Sequence, residues 1–184
     1  MGDQFPGRNS DSNPTGFFED VHFSGLNAKI ISQCGGSHLY PPKRERVAEK
    51  VEEFSGRASD MIDARAHQSL WGWKDPRQIL TWDVWAPHLV GVDDVRLVIA
   101  RRDASAVIGS VMRLQWLGNE KDARRMVDEY ERRLSLILDE VDYPRVDVAF
   151  DDWWNDFGGQ VARLAAFTGL EIDAGLFDDS LKHC

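Results

Sequence analysis

Cysteine is scarce in this chain. Only Cys34 and Cys184 occur, and they form no Cys-x-x-Cys pair. That excludes a disulfide framework and a cysteine-built metal knuckle, and it points to a reducing, cytoplasmic setting. Long apolar runs are missing too. No stretch approaches the roughly 20 apolar residues that a membrane-spanning helix needs. The first twenty residues are polar and lack the apolar core of a secretory signal. Positive charge is in deficit: 22 Lys and Arg stand against 31 Asp and Glu, a net charge of -9. A general binder of nucleic acid or of membrane surfaces is therefore not expected. Internal repeats, a Walker motif and a metal-binding acidic pair are also absent from the pattern.

What remains is an ordinary globular composition, 42% hydrophobic and 29% charged over 184 residues. That length suits one domain with a core of its own. Seven tryptophans are many for it, and buried or stacked rings are the default expectation for most of them. Any anion site must be a local basic pocket on an acidic protein.

One stretch organises the rest: Val95-Arg-Leu-Val-Ile-Ala-Arg-Arg-Asp-Ala-Ser-Ala-Val-Ile-Gly-Ser110. Val95 to Ala100 is apolar except for Arg96, which suits a parallel strand buried on both faces. Arg101 and Arg102 follow at its C-terminal end. Asp103 is placed to cap a helix through Ala106, Val107 and Val111. Helix-start amides, the helix dipole and an adjacent guanidinium together favour an anion. The competing reading is that Arg101 or Arg102 is a solvated charge or an ion-pair partner.

Residues 1–15 have loop composition and form a polar lead-in. A helix is expected over about Glu19–Ser32, ended by Cys34-Gly-Gly36. After Tyr40-Pro-Pro42, a charged helical pattern runs from Lys43 to about His67, with Gly56 as an interruption. Leu70–Lys74 reads as a short strand, and Gln78–Trp85 as a short helix ended by Pro87 and Gly91. The helix after Asp103 extends to about Leu117. Asp122–Val141 is the clearest amphipathic helix. Arg145–Ala149 alternates as a strand. Trp153–Thr168 is the last helix, closed by Gly169, and an acidic tail follows over 173–184. Strands at about 70–74, 95–100 and 145–149 separated by helices argue for an α/β protein with a parallel sheet flanked by helices.

Several pieces then match a known pattern in order. They are Asn13-Pro-Thr-Gly-Phe-Phe-Glu-Asp20, Trp71-Gly-Trp-Lys-Asp-Pro-Arg77, Arg102-Asp-Ala-Ser-Ala-Val-Ile-Gly-Ser110, and Arg145-Val-Asp-Val-Ala-Phe-Asp-Asp152 followed by Ala165-Ala-Phe-Thr-Gly-Leu170. Over residues 13–172 the chain resembles the bacterial sulfotransferase-like family. The resemblance implies a P-loop nucleoside triphosphate hydrolase-like sulfotransferase fold in a single domain over 16–172. It also implies transfer of a sulfuryl group from 3′-phosphoadenosine 5′-phosphosulfate to an unknown small-molecule or glycan acceptor, without a metal. Two departures stand out. Ala104 replaces the family's usual Pro, and the family's first strand and phosphate loop, Gly-x-x-Arg-Ser-Gly-Thr-Ser, have no counterpart. The chain looks truncated at its N-terminus relative to the family. A non-catalytic relative that binds or oligomerises is the alternative function.

The resemblance places the 3′-phosphate on Arg102 and Ser110, and a bidentate guanidinium with a hydroxyl two helical turns on suits that task. Lys74 resembles the lysine that touches the transferring sulfate. Arg77 either aids anion binding or pairs with Asp75. For the general base, Glu19 is the nearest positional analogue, with Asp20, His22 and His88 as alternatives. The competing readings are a packing residue for Ser110, a solvent-facing strand-end lysine for Lys74, and a first-turn acid for Glu19.

Overall fold

The computed structural model describes residues 18–171. The lead-in expected over 1–15 and the tail over 173–184 lie outside them. In chain order the elements are α1 (Val21–Gln33), α2 (Arg44–Ala48), α3 (Val51–Ala66), α4 (Gln78–Leu89), β1 (Leu97–Arg101), α5 (Ala104–Arg113), α6 (Glu120–Glu140), β2 (Arg145–Ala149), α7 (Asp152–Asn155) and α8 (Phe157–Thr168). This is a mixed protein of helices with a small two-stranded parallel sheet. No helix of the described residues is long and apolar enough to cross a membrane. Contacts group the chain into two compact units, with the division falling inside α5.

The first unit comprises the described residues up to Asp93 together with Ile108–Val141. Its centre is α4, which packs with α1, α2, α3 and α6. Leu80, Thr81, Trp82, Val84, Trp85 and Leu89 of α4 are all buried. A helix buried on nearly every side needs neighbours on every side. Pro87 does not end α4 as the sequence predicts. It lacks the N–H that would bond the Asp83 carbonyl, yet burial of Leu89 beyond it keeps the last turn in place. Gly56 likewise does not interrupt α3, because Phe54, Ala58 and Ile62 keep one buried face through it. The break falls instead at Glu49 and Lys50.

Asp20 caps α1, accepting from the amides of His22 at 2.9 Å and Phe23 at 3.4 Å. At the other end Gly35 takes φ 73°, and the amides of Gly35 and Gly36 bond the Ser32 and Ile31 carbonyls, which is the Schellman closure. α5 stops earlier than expected, at Arg113. Its closure has the same form, with Gln115 at φ 56° in the position a glycine usually takes.

Arg133 of α6 is buried and sews three segments together. Its guanidinium donates to the Leu80 carbonyl at 3.1 Å, to the Pro42 carbonyl, and to Glu129 at 2.7 Å. Arg44 forks onto both Asp83 of α4 and Glu140 at the end of α6. An open groove of about 760 Å³ lies here, lined by residues 39–45 and by Asp122, Arg125, Met126, Glu129 and Arg132 of α6.

The expected strand over 70–74 is absent. Trp71 and Trp73 do share a side, as period two requires, and stack at 5.7 Å. No strand among the described residues pairs with them. Rings take the place of a ladder: Trp73 stacks on Phe23 at 4.5 Å, and Phe23 on Trp85 at 5.1 Å.

The second unit contains Asp94–Val107 and the described residues from Asp142. β1 and β2 pair in parallel, Leu97 opposite Arg145 and Arg101 opposite Ala149. β2 buries Val146 and Val148. β1 is not buried on both faces as expected. Its exposure alternates, and Val98 is 47% exposed. The last helix is divided: α7 ends at Asn155, and Asp156 at φ -147° caps α8 through the Gly159 amide. Gly169 closes α8 at φ 72°, as read from the sequence.

Candidate functional site

Three of the five expected site residues meet in the first unit. Glu19 sits one residue before the α1 cap, so it lies outside the helix rather than in its first turn. Its Oε2 accepts from Arg77 Nη2 at 2.6 Å, and its Oε1 lies 3.4 Å from Lys74 Nζ. The Glu19 side chain is 13% exposed and that of Lys74 is 52% exposed. Lys74 is the outward cation of the group and Arg77 the inward one.

Arg77 is itself fixed. Its backbone N–H and its Nε both donate to Asp75 Oδ1, at 2.9 and 2.8 Å. Arg77 thus pairs with Asp75, the second of its two alternatives, and with Glu19 as well. Burial works against its charge, yet the Asp75 hydrogen bond and the Asp75 and Glu19 charges outweigh it, and the guanidinium titrates above its usual range. The other Asp75 oxygen accepts from Asn27 Nδ2 at 2.8 Å. Asn27 Nδ2 also donates to Gln78 Oε1, which accepts from Trp73 Nε1 at 2.9 Å.

Two further side chains feel this cluster. Burial chiefly, then the Arg77 charge, holds His38 below the usual histidine range. Burial chiefly, then the Asp75 charge, pushes Tyr130 above the usual phenol range. The Tyr130 hydroxyl donates to the His38 carbonyl at 3.1 Å.

The other candidate bases have different duties. Asp20 caps α1 and accepts from Arg65 at 3.2 Å. His22 occupies the first turn of α1. His88 Nε2 lies 3.0 Å from Ser55 Oγ and joins α4 to α3.

Arg102 and Ser110 fall in different units. Arg102 follows β1 directly, and its guanidinium lies over the Phe150 ring at 4.4 Å. Ser110 is the seventh residue of α5. Asp103 does cap this helix, accepting from the Ala106 amide at 3.1 Å. The Ser105 hydroxyl chiefly, then the Ala106 amide, holds the Asp103 carboxyl below the usual range, so a carboxylate of the chain itself already occupies this helix start. Arg101 pairs with Asp147 across the sheet. Among the described residues, no group of three or more His, Cys, Asp or Glu is arranged to hold a metal ion.

Sequence reasoning missed Asn27, His38 and Tyr130. Asn27 carried a signal: a polar amide in the middle of the apolar series Phe23, Leu26, Ile30 and Ile31. Tyr130 reads as one more member of the apolar face of α6, and His38 sits in a loop with no pattern around it.

No family model matches the sequence, and neither the curated proteins nor the solved structures compared with the chain give a match.

Proposed function

We propose that this chain is a sulfotransferase-like protein that works at the Glu19–Lys74–Arg77 cluster. One observation carries the reading: the carboxylate and the ammonium to which the resemblance assigns the roles of base and charge stabiliser stand 3.4 Å apart, although 55 residues separate them. In the proposed reaction an acceptor hydroxyl gives its proton to Glu19 as its oxygen bonds to sulfur. The bond from sulfur to the bridging phosphate oxygen breaks, and Lys74 offsets the charge left on that oxygen. Arg77 holds Glu19 in place, and Lys74 is the more exposed and less tightly bound of its two cations. For the nucleotide's phosphate the resemblance points to Arg102, whose guanidinium fork suits a phosphate.

Calorimetric titration of the full chain with 3′-phosphoadenosine 5′-phosphate tests the reading. Saturable binding is expected, weakened roughly tenfold or more in Arg102→Ala, as loss of a charge-assisted hydrogen bond implies. Absence of binding by the wild-type chain removes the assignment.

A second reading, a non-catalytic module that self-associates, draws on the exposure of Val98 in a two-stranded sheet. Light scattering separates it from the first, since a strict monomer at high concentration is incompatible with it.

A further inference from the structure

We propose that Asn27 is the positioning residue of the Glu19–Lys74–Arg77 cluster, holding the Asp75 carboxylate in the orientation from which it aims Arg77 at Glu19. The proposal rests on reading that cluster as the reacting site.

The chemistry of the neighbours fixes the Asn27 amide without ambiguity. Trp85 Nε1 is a donor only, and it lies 2.8 Å from Asn27 Oδ1. The Thr81 hydroxyl donates to the same oxygen at 2.7 Å. Nδ2 must then face the other way, where Asp75 Oδ2 and Gln78 Oε1 accept at 2.8 and 3.2 Å. Both lone pairs and both N–H groups are used. Asn27 is wholly buried, and burying an amide is tolerable only when it is hydrogen-bonded in this way.

The two ends of the amide do different work. The oxygen end fastens α1 to α4, which an apolar contact also does. The nitrogen end reaches out of the core toward the site. It claims one oxygen of Asp75, which leaves the other to the backbone N–H and Nε of Arg77. With Nε committed, Nη2 of the same guanidinium reaches Glu19. The chain of contacts therefore runs from the α4 core through Asn27, Asp75 and Arg77 to Glu19. The same nitrogen shares Gln78 Oε1 with Trp73, which fixes the ring immediately before Lys74.

Asn27→Asp separates the two roles. The new side chain has the same shape and keeps the acceptor for Thr81 and Trp85. It loses the donors and sets a second carboxylate against Asp75, with Arg77, Glu19 and Lys74 as the other charges nearby. Thr81→Val is the comparison: it removes the hydroxyl bond to Asn27 Oδ1 at 2.7 Å, and with it a longer contact to the Arg77 carbonyl at 3.3 Å, while leaving the donors of Asn27 in place. The readout is the Arg77 Nε–H resonance in a ¹⁵N-labelled full-length chain at neutral pH, assigned by its loss in Arg77→Lys. In Asn27→Asp the resonance is expected to leave its hydrogen-bonded downfield position, whereas Thr81→Val lowers the melting temperature and leaves the resonance in place. Asn27→Ser, which adds no charge, gives the same comparison if the aspartate variant does not fold. An unmoved resonance in the Asn27 variants, or an equal movement in Thr81→Val, overturns the proposal. The nucleotide titration reports separately on the site reading: no nucleotide binding alongside an Asn27-specific movement removes the activity and leaves the positioning intact.

Discussion

Glu19 accepts from two cations that differ in kind. Arg77 is held on its inner side by Asp75, whose side chain is wholly buried, while the Lys74 side chain is half exposed. Removing one partner of a buried pair leaves a charge without compensation, which costs about 3–5 kcal/mol, whereas exposed pairs are worth about 0–1 kcal/mol. Arg77→Ala is therefore expected to lower unfolding free energy by about 3 kcal/mol or more, and Lys74→Ala by under about 1 kcal/mol. Urea denaturation of both variants checks this, and a Lys74→Ala as costly as Arg77→Ala contradicts the division of labour between them. Of this cluster, the sequence shows the participants better than the bonds. The short spacing from Lys74 through Asp75 to Arg77 makes a local group visible. Glu19 and Asn27 reach it only through the packing of α1 on α4, which no local pattern encodes.

At the scale of elements, α6 bears the clearest amphipathic pattern in the sequence, and its expected span over 122–141 is close to the observed Glu120–Glu140. The pattern does not reveal that Arg133 lies on the buried side. An arginine reads as solvated until three acceptors converge on it, and two of those are the backbone carbonyls of Pro42 and Leu80. Glu129 is the third. The Arg132 hydrogen bond chiefly, with help from Arg133, holds the Glu129 carboxyl down to about 2 from an ordinary 4.5. A group whose value is depressed by folding adds stability above its unfolded value and loses it as pH falls toward the folded one. The contribution is thus complete above about pH 4.5 and fades toward pH 2. Glu129→Gln is expected to cost on the order of 2 kcal/mol at neutral pH and to flatten the fall in melting temperature across that acid window. Thermal melts of both proteins from pH 7 downward measure it, and parallel curves refute it. Boundaries were less legible than faces. Pro87, Gly56 and the indole pair Trp71 and Trp73 each suggest a local outcome that burial or stacking reverses.

Across the whole molecule, the two units are built differently. In the first, α4 is wrapped by four helices. In the second, a two-stranded sheet carries an alternating, partly exposed β1. Amides open according to how much buried contact surrounds them. Hydrogen exchange is therefore expected to be slowest in α4 and clearly faster in β1 and β2. Equal protection of β1 and α4 would show that the sheet is more deeply supported than its exposure indicates. The sequence conveys the helical majority and a parallel sheet with strands near 95–100 and 145–149, which are observed at Leu97–Arg101 and Arg145–Ala149. It overstates the sheet, because a run such as Leu70–Lys74 alternates correctly without having a strand to pair with.

The aromatic ladder of the first unit has an optical consequence. Trp71 and Trp73 lie 5.7 Å apart with planes only 13° from parallel, and Trp85 is 5.6 Å from Trp73. Indoles this close share their electronic excitation. Their coupled transitions will superimpose a couplet on the far-ultraviolet dichroism of the helices, so ellipticity alone will misreport helix content. Trp71→Phe will remove part of that signal while the helices stay as they are.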